Sequence, residues 1–147
     1  MTREAIMLAL FNLLVQSGAY KTTGRRLIYW QDVADQPALF LRHVADDTMT
    51  TRTGMPPKVV IECEVWLYSQ GGSDPDVSPE TSLNGLLDGV EIALQPAPGM
   101  PAQTLGGLVT HAWIEGKTEM HPGDLGGQAI AVVPVKVLVP VVHGPTG

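Results

Sequence analysis

The sequence predicts an α+β domain, an antiparallel or mixed sheet of about five strands with two main helices packed against it, in the order α-β-β-β-α-β-β. Three observations carry this. Residues 3–16 and 78–95 repeat apolar side chains at helical spacing. Residues 58–69 alternate with period two. The strand-like runs follow one another with hairpin-like links, which favours antiparallel neighbours.

Arg3–Gln16 reads as the first helix, with Thr2 at the N-cap and Glu4 in the first turn, where a carboxylate suits the helix dipole. Ile6, Leu10, Leu13 and Leu14 form one apolar face, and Leu8, Phe11 and Val15 a second. So wide an apolar surface predicts burial on two sides, against the sheet and a neighbouring subunit. Ser17-Gly18 ends the helix, with Gly18 suited to a left-handed position.

Arg26–Trp30 is a short strand candidate, rich in Ile, Tyr and Trp, and Gln36-Pro37 then breaks the chain. Ala38–Val44 is the next strand. The polar, threonine-rich stretch Ala45–Pro57 reads as a long mobile loop, longer than an ordinary hairpin connection.

Lys58–Ser69 is the clearest strand. Val59, Ile61, Cys63, Val65 and Leu67 make a continuous apolar face, opposite Val60, Glu62, Glu64, Trp66 and Tyr68. Gly71–Val77 reads as a loop. Ser78-Pro79 offers an N-cap followed by proline at the first helical position, and Leu83, Leu86, Leu87, Val90 and Leu94 form the stripe of the second helix. Pro96 stops it.

Thr104–Glu119 and Gln128–Val139 complete the strands. The last is nearly all apolar, and its Pro134, lacking an N–H, marks an edge or a bulge. The intervening Gly116–Gly127 reads as a protruding hairpin tip. Residues 1–140 are expected to form one domain and 141–147 a flexible tail.

The 147 residues carry 16 Gly and 12 Pro, yet 44% are hydrophobic and only 16% charged, which excludes a disordered polyelectrolyte. One cysteine, Cys63, excludes an intrachain disulfide and a multi-cysteine zinc site. A formal charge of −6 argues against nucleic-acid binding driven by overall charge. No run reaches the roughly 18 apolar residues of a membrane span. The N-terminal stretch lacks a clear cleavage site, so the chain is expected to be soluble and intracellular.

The residues assemble no catalytic, cofactor or metal site. His43, His111, His121 and His143 lie in separate segments without metal-ligand spacing. Cys63 lies on the apolar face of a strand, where a thiol is inert. The carboxylate pairs Asp46-Asp47 and Asp74/Asp76 lack the further oxygen ligands of a calcium loop. Leu105-Gly106-Gly107 and Gly123–Gly127 match no phosphate-binding pattern and read as turns or bulges. Arg25-Arg26 reads equally as a charged strand edge or as an anchor to a neighbouring subunit. Trp30, Trp66, Tyr68 and Trp113 read as interface aromatics or as packing under a second layer.

The pieces REAIMLALFNLL, RRLIYWQDV with QPALFL, KVVIECEVWLYSQ, SLNGLLDGVEIAL and LGGLVTHAWIEGKTEMHPGDLGGQAIAVVPVKVLVP span roughly residues 3–140. Their order and spacing, rather than any single motif, resemble the small tail terminator or minor tail proteins of long-tailed bacteriophages. The resemblance implies an α+β subunit that forms a hexameric ring on the head-proximal end of the tail tube. Such a ring stops tube polymerisation and offers the surface on which the head–tail connector protein docks. It catalyses no reaction and holds no cofactor, and it involves no membrane. DNA passes through its lumen without specific binding, which an acidic chain suits. The protein would then belong to the neck of the virion tail, assembled in the host cytoplasm.

Carried onto this chain, Ala45–Pro57, with Asp46, Asp47, Thr48 and Arg52, is expected to contact the tail-tube protein. Gly116–Gly127, with Lys117, Glu119, His121 and Asp124, is expected to face a neighbour or the connector. Arg25, Arg26, Trp66 and Tyr68 complete the interface candidates. The alternatives are another neck or tail subunit, such as a head-closure or tail-tube protein, and a small enzyme using Cys63.

Overall fold

Strand β3 (Lys58–Gln70) runs through the middle of the sheet and is paired along its whole length with β6 (Gln128–Pro140). On its other side lies β2 (Ala38–Met49), also antiparallel, which carries the short parallel strand β1 (Thr22–Gly24) on its far edge. Beyond β6 lie β4 (His111–Ile114) and β5 (Glu119–His121). The order β1-β2-β3-β6-β4, with β5 also on β6, makes a mixed sheet of six strands. With α1 (Arg3–Val15) and α2 (Glu80–Ala93), the fold is α+β. The computed structural model describes residues 2–50, 52–70, 80–121 and 128–140.

Both helices lie on one face of the sheet. The alternation of β3 puts Val59, Ile61, Cys63, Val65 and Leu67 on that face, and β6 adds Val133, Val135, Val137 and Val139. Ile6, Met7, Leu10 and Leu14 of α1 and Leu83 and Val90 of α2 close over them. Each fully buried Leu or Ile contributes roughly 1.5–3 kcal/mol of hydrophobic stabilisation. The second apolar face of α1 is only partly used, since Phe11 and Val15 pack against the core while Leu8 stays 48% exposed.

A smaller cluster of Val33, Ala38, Phe40 and Tyr68 lies apart from this core, with Trp30, Trp66 and Ile130 packed against it. The Phe40 and Tyr68 rings are tilted at 5.4 Å between centroids. The segment between β1 and β2 reaches this cluster, tied by the Tyr68 hydroxyl donating to the Ile28 carbonyl at 2.6 Å.

Four expectations are corrected. Arg26–Trp30 forms no strand; the strand before β2 is Thr22–Gly24, and Trp30–Asp32 is one 3₁₀ turn. The apolar residues of 26–30 face a groove and the small cluster, which mimics a strand in composition without pairing. Ala45–Pro57 is not one loop: β2 continues to Met49, pairing Ala45 with Glu62 and Met49 with Lys58 across a bulge at Val44. Thr104–Glu119 is not one strand. Leu105, Gly106 and Gly107 take φ of 51°, 75° and 92°, so a turn fills this stretch and pairing starts only at His111. Gly18 is not left-handed; Ser17 closes α1 instead, its N–H and hydroxyl both donating to the Leu14 carbonyl at 3.0 and 2.6 Å.

Pro134 sits within β6 opposite Glu64, and its carbonyl accepts from the Glu115 N–H at 3.3 Å on the other side. Its missing N–H therefore faces the stretch between β4 and β5. There Ile114 pairs with Val135 and Glu119 with Val132, so four residues stand opposite two. The bulge lies in the neighbouring edge, and the proline is placed where no ladder bond is lost. The expected Gly71–Val77 loop, the Ser78-Pro79 cap, most of the hairpin tip and the C-terminal tail lie outside the described residues.

Candidate interaction site

The helix-free face of the sheet carries the even-numbered residues of β3 and β6. Glu62, Glu64, Trp66, Pro134, Lys136 and Leu138 are half-buried there, in the gap between a packed core and free solvent. Two ionic groupings organise this face. Glu64 accepts from Arg42 of β2 and from the Trp66 indole, each at 3.3 Å. Glu115 accepts from Lys136 at 2.7 Å and from the Trp113 indole at 3.2 Å. Lys136 and its neighbouring Trp113 hydrogen bond hold the Glu115 carboxyl below the usual carboxylate range. His111 stacks on Trp113, with rings 5.2 Å apart and 8° from parallel. Its Nδ1 accepts from the Gln103 N–H at 3.1 Å, which puts any proton of the neutral ring on Nε2.

At the β1 end, a groove of about 640 Å³ opens beside the small cluster, walled by Arg26, Leu27, Ile28 and Tyr29 on one side and Trp66 and Tyr68 on the other. Tyr29 is 75% exposed. Tyr68 is itself buried, with only part of its ring reaching the groove. Asp32 also lines the groove and adds a carboxylate to it.

At the other end lies the β2–β3 hairpin, whose β2 residues Arg42–Met49 are exposed. Asp46 anchors it, accepting from the Arg3 guanidinium of α1 at 2.5 Å and lying 2.6 Å from His43 Nε2. Partial burial pushes the Asp46 pKa up, but the Arg3 and His43 hydrogen bonds outweigh it, so the carboxyl titrates below its usual range. Asp47 and Thr48 follow on β2 opposite Val60 and Val59, and the Arg52 carbonyl accepts from the Met55 N–H at 3.1 Å in the turn.

The interface residues named from the sequence thus fall into separate places. Arg25 holds Glu4 of α1 through both guanidinium nitrogens, within one chain. Arg26, Trp66 and Tyr68 meet at the groove. Asp46, Asp47, Thr48 and Arg52 share the hairpin. Glu119 and His121 sit on β5 opposite Val132 and Ile130, with Lys117 exposed just before them. Asp124 lies outside the described residues. Arg42, His43, Glu115 and Lys136 were missed, and a signal was available: Arg42, His43 and Lys136 are polar residues breaking apolar runs at strand positions, and Glu115 directly follows the apolar end of β4.

Cys63 is buried on the helix side. Desolvation, reinforced by the negative Asp46, pushes its thiol up to about 12. Among the described residues no group of three or more His, Cys, Asp or Glu could hold a metal ion, and no helix is long and apolar enough to cross a membrane. No family model matches the chain, and no curated protein matches it significantly.

Proposed function

We propose that this protein is a structural virion subunit, the tail terminator of a long-tailed bacteriophage, acting as a hexameric ring that caps the tail tube and joins it to the head–tail connector. The observation that carries this reading is the lopsided sheet. Helices cover one face, while the other holds half-buried Trp66, Trp113 and Leu138 under no helix among the described residues. A surface that is neither core nor freely solvated suits a subunit that completes itself against neighbours.

In this reading the β2–β3 hairpin meets the tail-tube protein, since it carries the exposed Asp47, Thr48 and Arg52 at and near its turn. The groove beside Trp66 and Arg26 meets a neighbouring subunit. DNA traverses the ring without specific contacts. A cysteine-based enzyme is the weaker alternative, because a thiol held near 12 supplies almost no thiolate at neutral pH.

The test is to add purified tail tubes to the protein and measure what forms, by light scattering and negative-stain microscopy. One closed ring per tube end is expected. Open-ended polymers would replace this reading with a tube subunit, and a protein that ignores tubes would remove it.

A further inference from the structure

Strand β1 covers only Ala38–Phe40 of β2. Among the described residues, Leu41–Met49 therefore have β3 as their one strand neighbour and leave their other edge open. An open edge of this length is a template for adding another strand.

The charges along it run in a specific order. Arg42 and His43 stand at one end, Asp46 and Asp47 at the other. Their faces are set by pairing with β3. Arg42 lies opposite Glu64 and Asp47 opposite Val60, both on the helix-free face. His43 lies opposite Cys63 and Asp46 opposite Ile61, both on the helix side. The bulge at Val44 makes this possible, because without the extra residue Arg42 and Asp47 would fall on opposite faces.

We propose that the open edge of β2 pairs antiparallel, about a two-fold axis, with the same edge of a second copy of this chain. The register sets Leu41 opposite Thr48, Arg42 opposite Asp47, His43 opposite Asp46 and Val44 opposite Ala45. The Arg42–Asp47 ion pair and the His43–Asp46 pair then each lie on a shared face and occur twice. Sliding by two residues one way brings Asp47 opposite Phe40, a place that β1 already occupies. Sliding two the other way sets Asp47 opposite Val44 and leaves no charge pair. A parallel in-register pairing would set Asp46 and Asp47 beside their own copies, which is unfavourable. Among self-pairings, the charges and the bulge thus favour one register of a second copy.

Such a contact is isologous and cannot by itself close a ring of six. It joins free subunits, or two rings face to face, and seals the edge that would otherwise recruit foreign strands. It does not depend on the terminator reading.

The experiment is sedimentation of the full chain across a concentration series. A species of twice the 15.7 kDa chain mass, or another even assembly, is expected. Asp47→Arg, which sets like charges opposite each other, should raise the dissociation constant about tenfold or more. The register is read by oxidation. The double variant R42C/D47C should give a disulfide-linked dimer, whereas R42C alone, D47C alone and the shifted pair R42C/T48C should not. If the double variant does not fold, the Asp47→Arg comparison decides. A chain that stays monomeric, an assembly indifferent to Asp47→Arg, or equal cross-linking by the shifted pair overturns the proposal. A dimer that forms no ring on tail tubes removes the terminator reading instead and leaves this one standing.

Discussion

The Cys63 thiol lies 3.7 Å from the Met7 thioether sulfur, joining the central strand to the first helix across 56 residues of sequence. Both side chains are buried, Cys63 at 2% exposure and Met7 at 1%. The sulfur contact falls where α1 crosses β3, so the one cysteine of the chain is part of the packing that fixes the helix on the sheet. A thiol in this place is a small apolar group with a weak donor aimed at a soft acceptor.

Cys63 should therefore be silent to thiol reagents in the native protein and react fully on unfolding. Its stability effect has a definite sign with pH. The folded thiol titrates at about 12 against an ordinary value of 9.0, so the folded state retains the proton that the unfolded chain loses. The contribution is fully present below pH 9 and declines as pH rises from there towards 12, by about 1.4 kcal/mol per pH unit at most. Urea unfolding of the wild type and Cys63→Ala between pH 8 and 11 checks this: the difference between them should shift in favour of the alanine variant as pH rises. A constant difference would show that the thiol does not titrate in this way.

Two glycines of α2 should respond oppositely to alanine. A Cβ on Gly89 would lie 2.3 Å from the Ser17 carbonyl oxygen, where the end of α1 rests on α2, so Gly89→Ala must push the helices apart. Overpacking of this kind costs about 1–3 kcal/mol or more. Gly85 has no atom within 4 Å of the same position, and Gly85→Ala should stabilise by roughly 0.5–1 kcal/mol through helix propensity. Denaturant midpoints of the two variants give the comparison.

Much of the scaffold was legible because a single periodicity dominated it. The alternation from Val59 to Leu67 reads correctly as a strand with one buried face, since β3 is central and its inner residues meet only apolar neighbours. The second half of β2 was not legible. Asp46 and Asp47 are poor strand formers, Thr48 is a good one but stands in a polar run, all three are exposed, and pairing with Ile61, Val60 and Val59 holds them extended. The run from Arg26 to Trp30 misled in the other direction, because Leu27, Ile28 and Tyr29 are strand-like residues used to wall a groove. β1 is three residues long and has no pattern to read. Of the surface groupings, Arg3 with Asp46 and Arg25 with Glu4 join residues 43 and 21 positions apart, and no local spacing encodes such pairs.

The Asp46 anchor should matter at neutral pH and vanish in acid. Its folded pKa lies below its usual value, so its contribution is present above about pH 4 and is lost as pH falls through the lowered folded value. Asp46→Asn should destabilise at pH 7 by up to about 1 kcal/mol, the range of partly exposed ion pairs, and by nothing measurable at pH 2. Arg3→Ala should behave alike. Amide exchange in Ala45–Met49 should quicken in both variants at pH 7, because the tie of the hairpin to α1 is cut while its ladder to β3 persists.

Removing the Tyr68 hydroxyl isolates the bond that holds the groove wall. That hydroxyl donates to the Ile28 carbonyl at 2.6 Å, while the ring stays packed on Phe40. Tyr68→Phe keeps the ring and the small cluster, and leaves the Ile28 carbonyl to find water at the groove mouth. The expected loss is about 0.5–1.5 kcal/mol, the net value of one such bond. Because the segment between β1 and β2 is otherwise fixed mainly by Val33 and Trp30, amide exchange there should rise more than in β3 itself. Uniform exchange across both segments would mean that the wall is held by the cluster and not by this hydroxyl. Trp66→Ala removes a groove side chain that also packs on the small cluster, and should lower ring formation on tail tubes while the bond from Tyr68 to Ile28 persists.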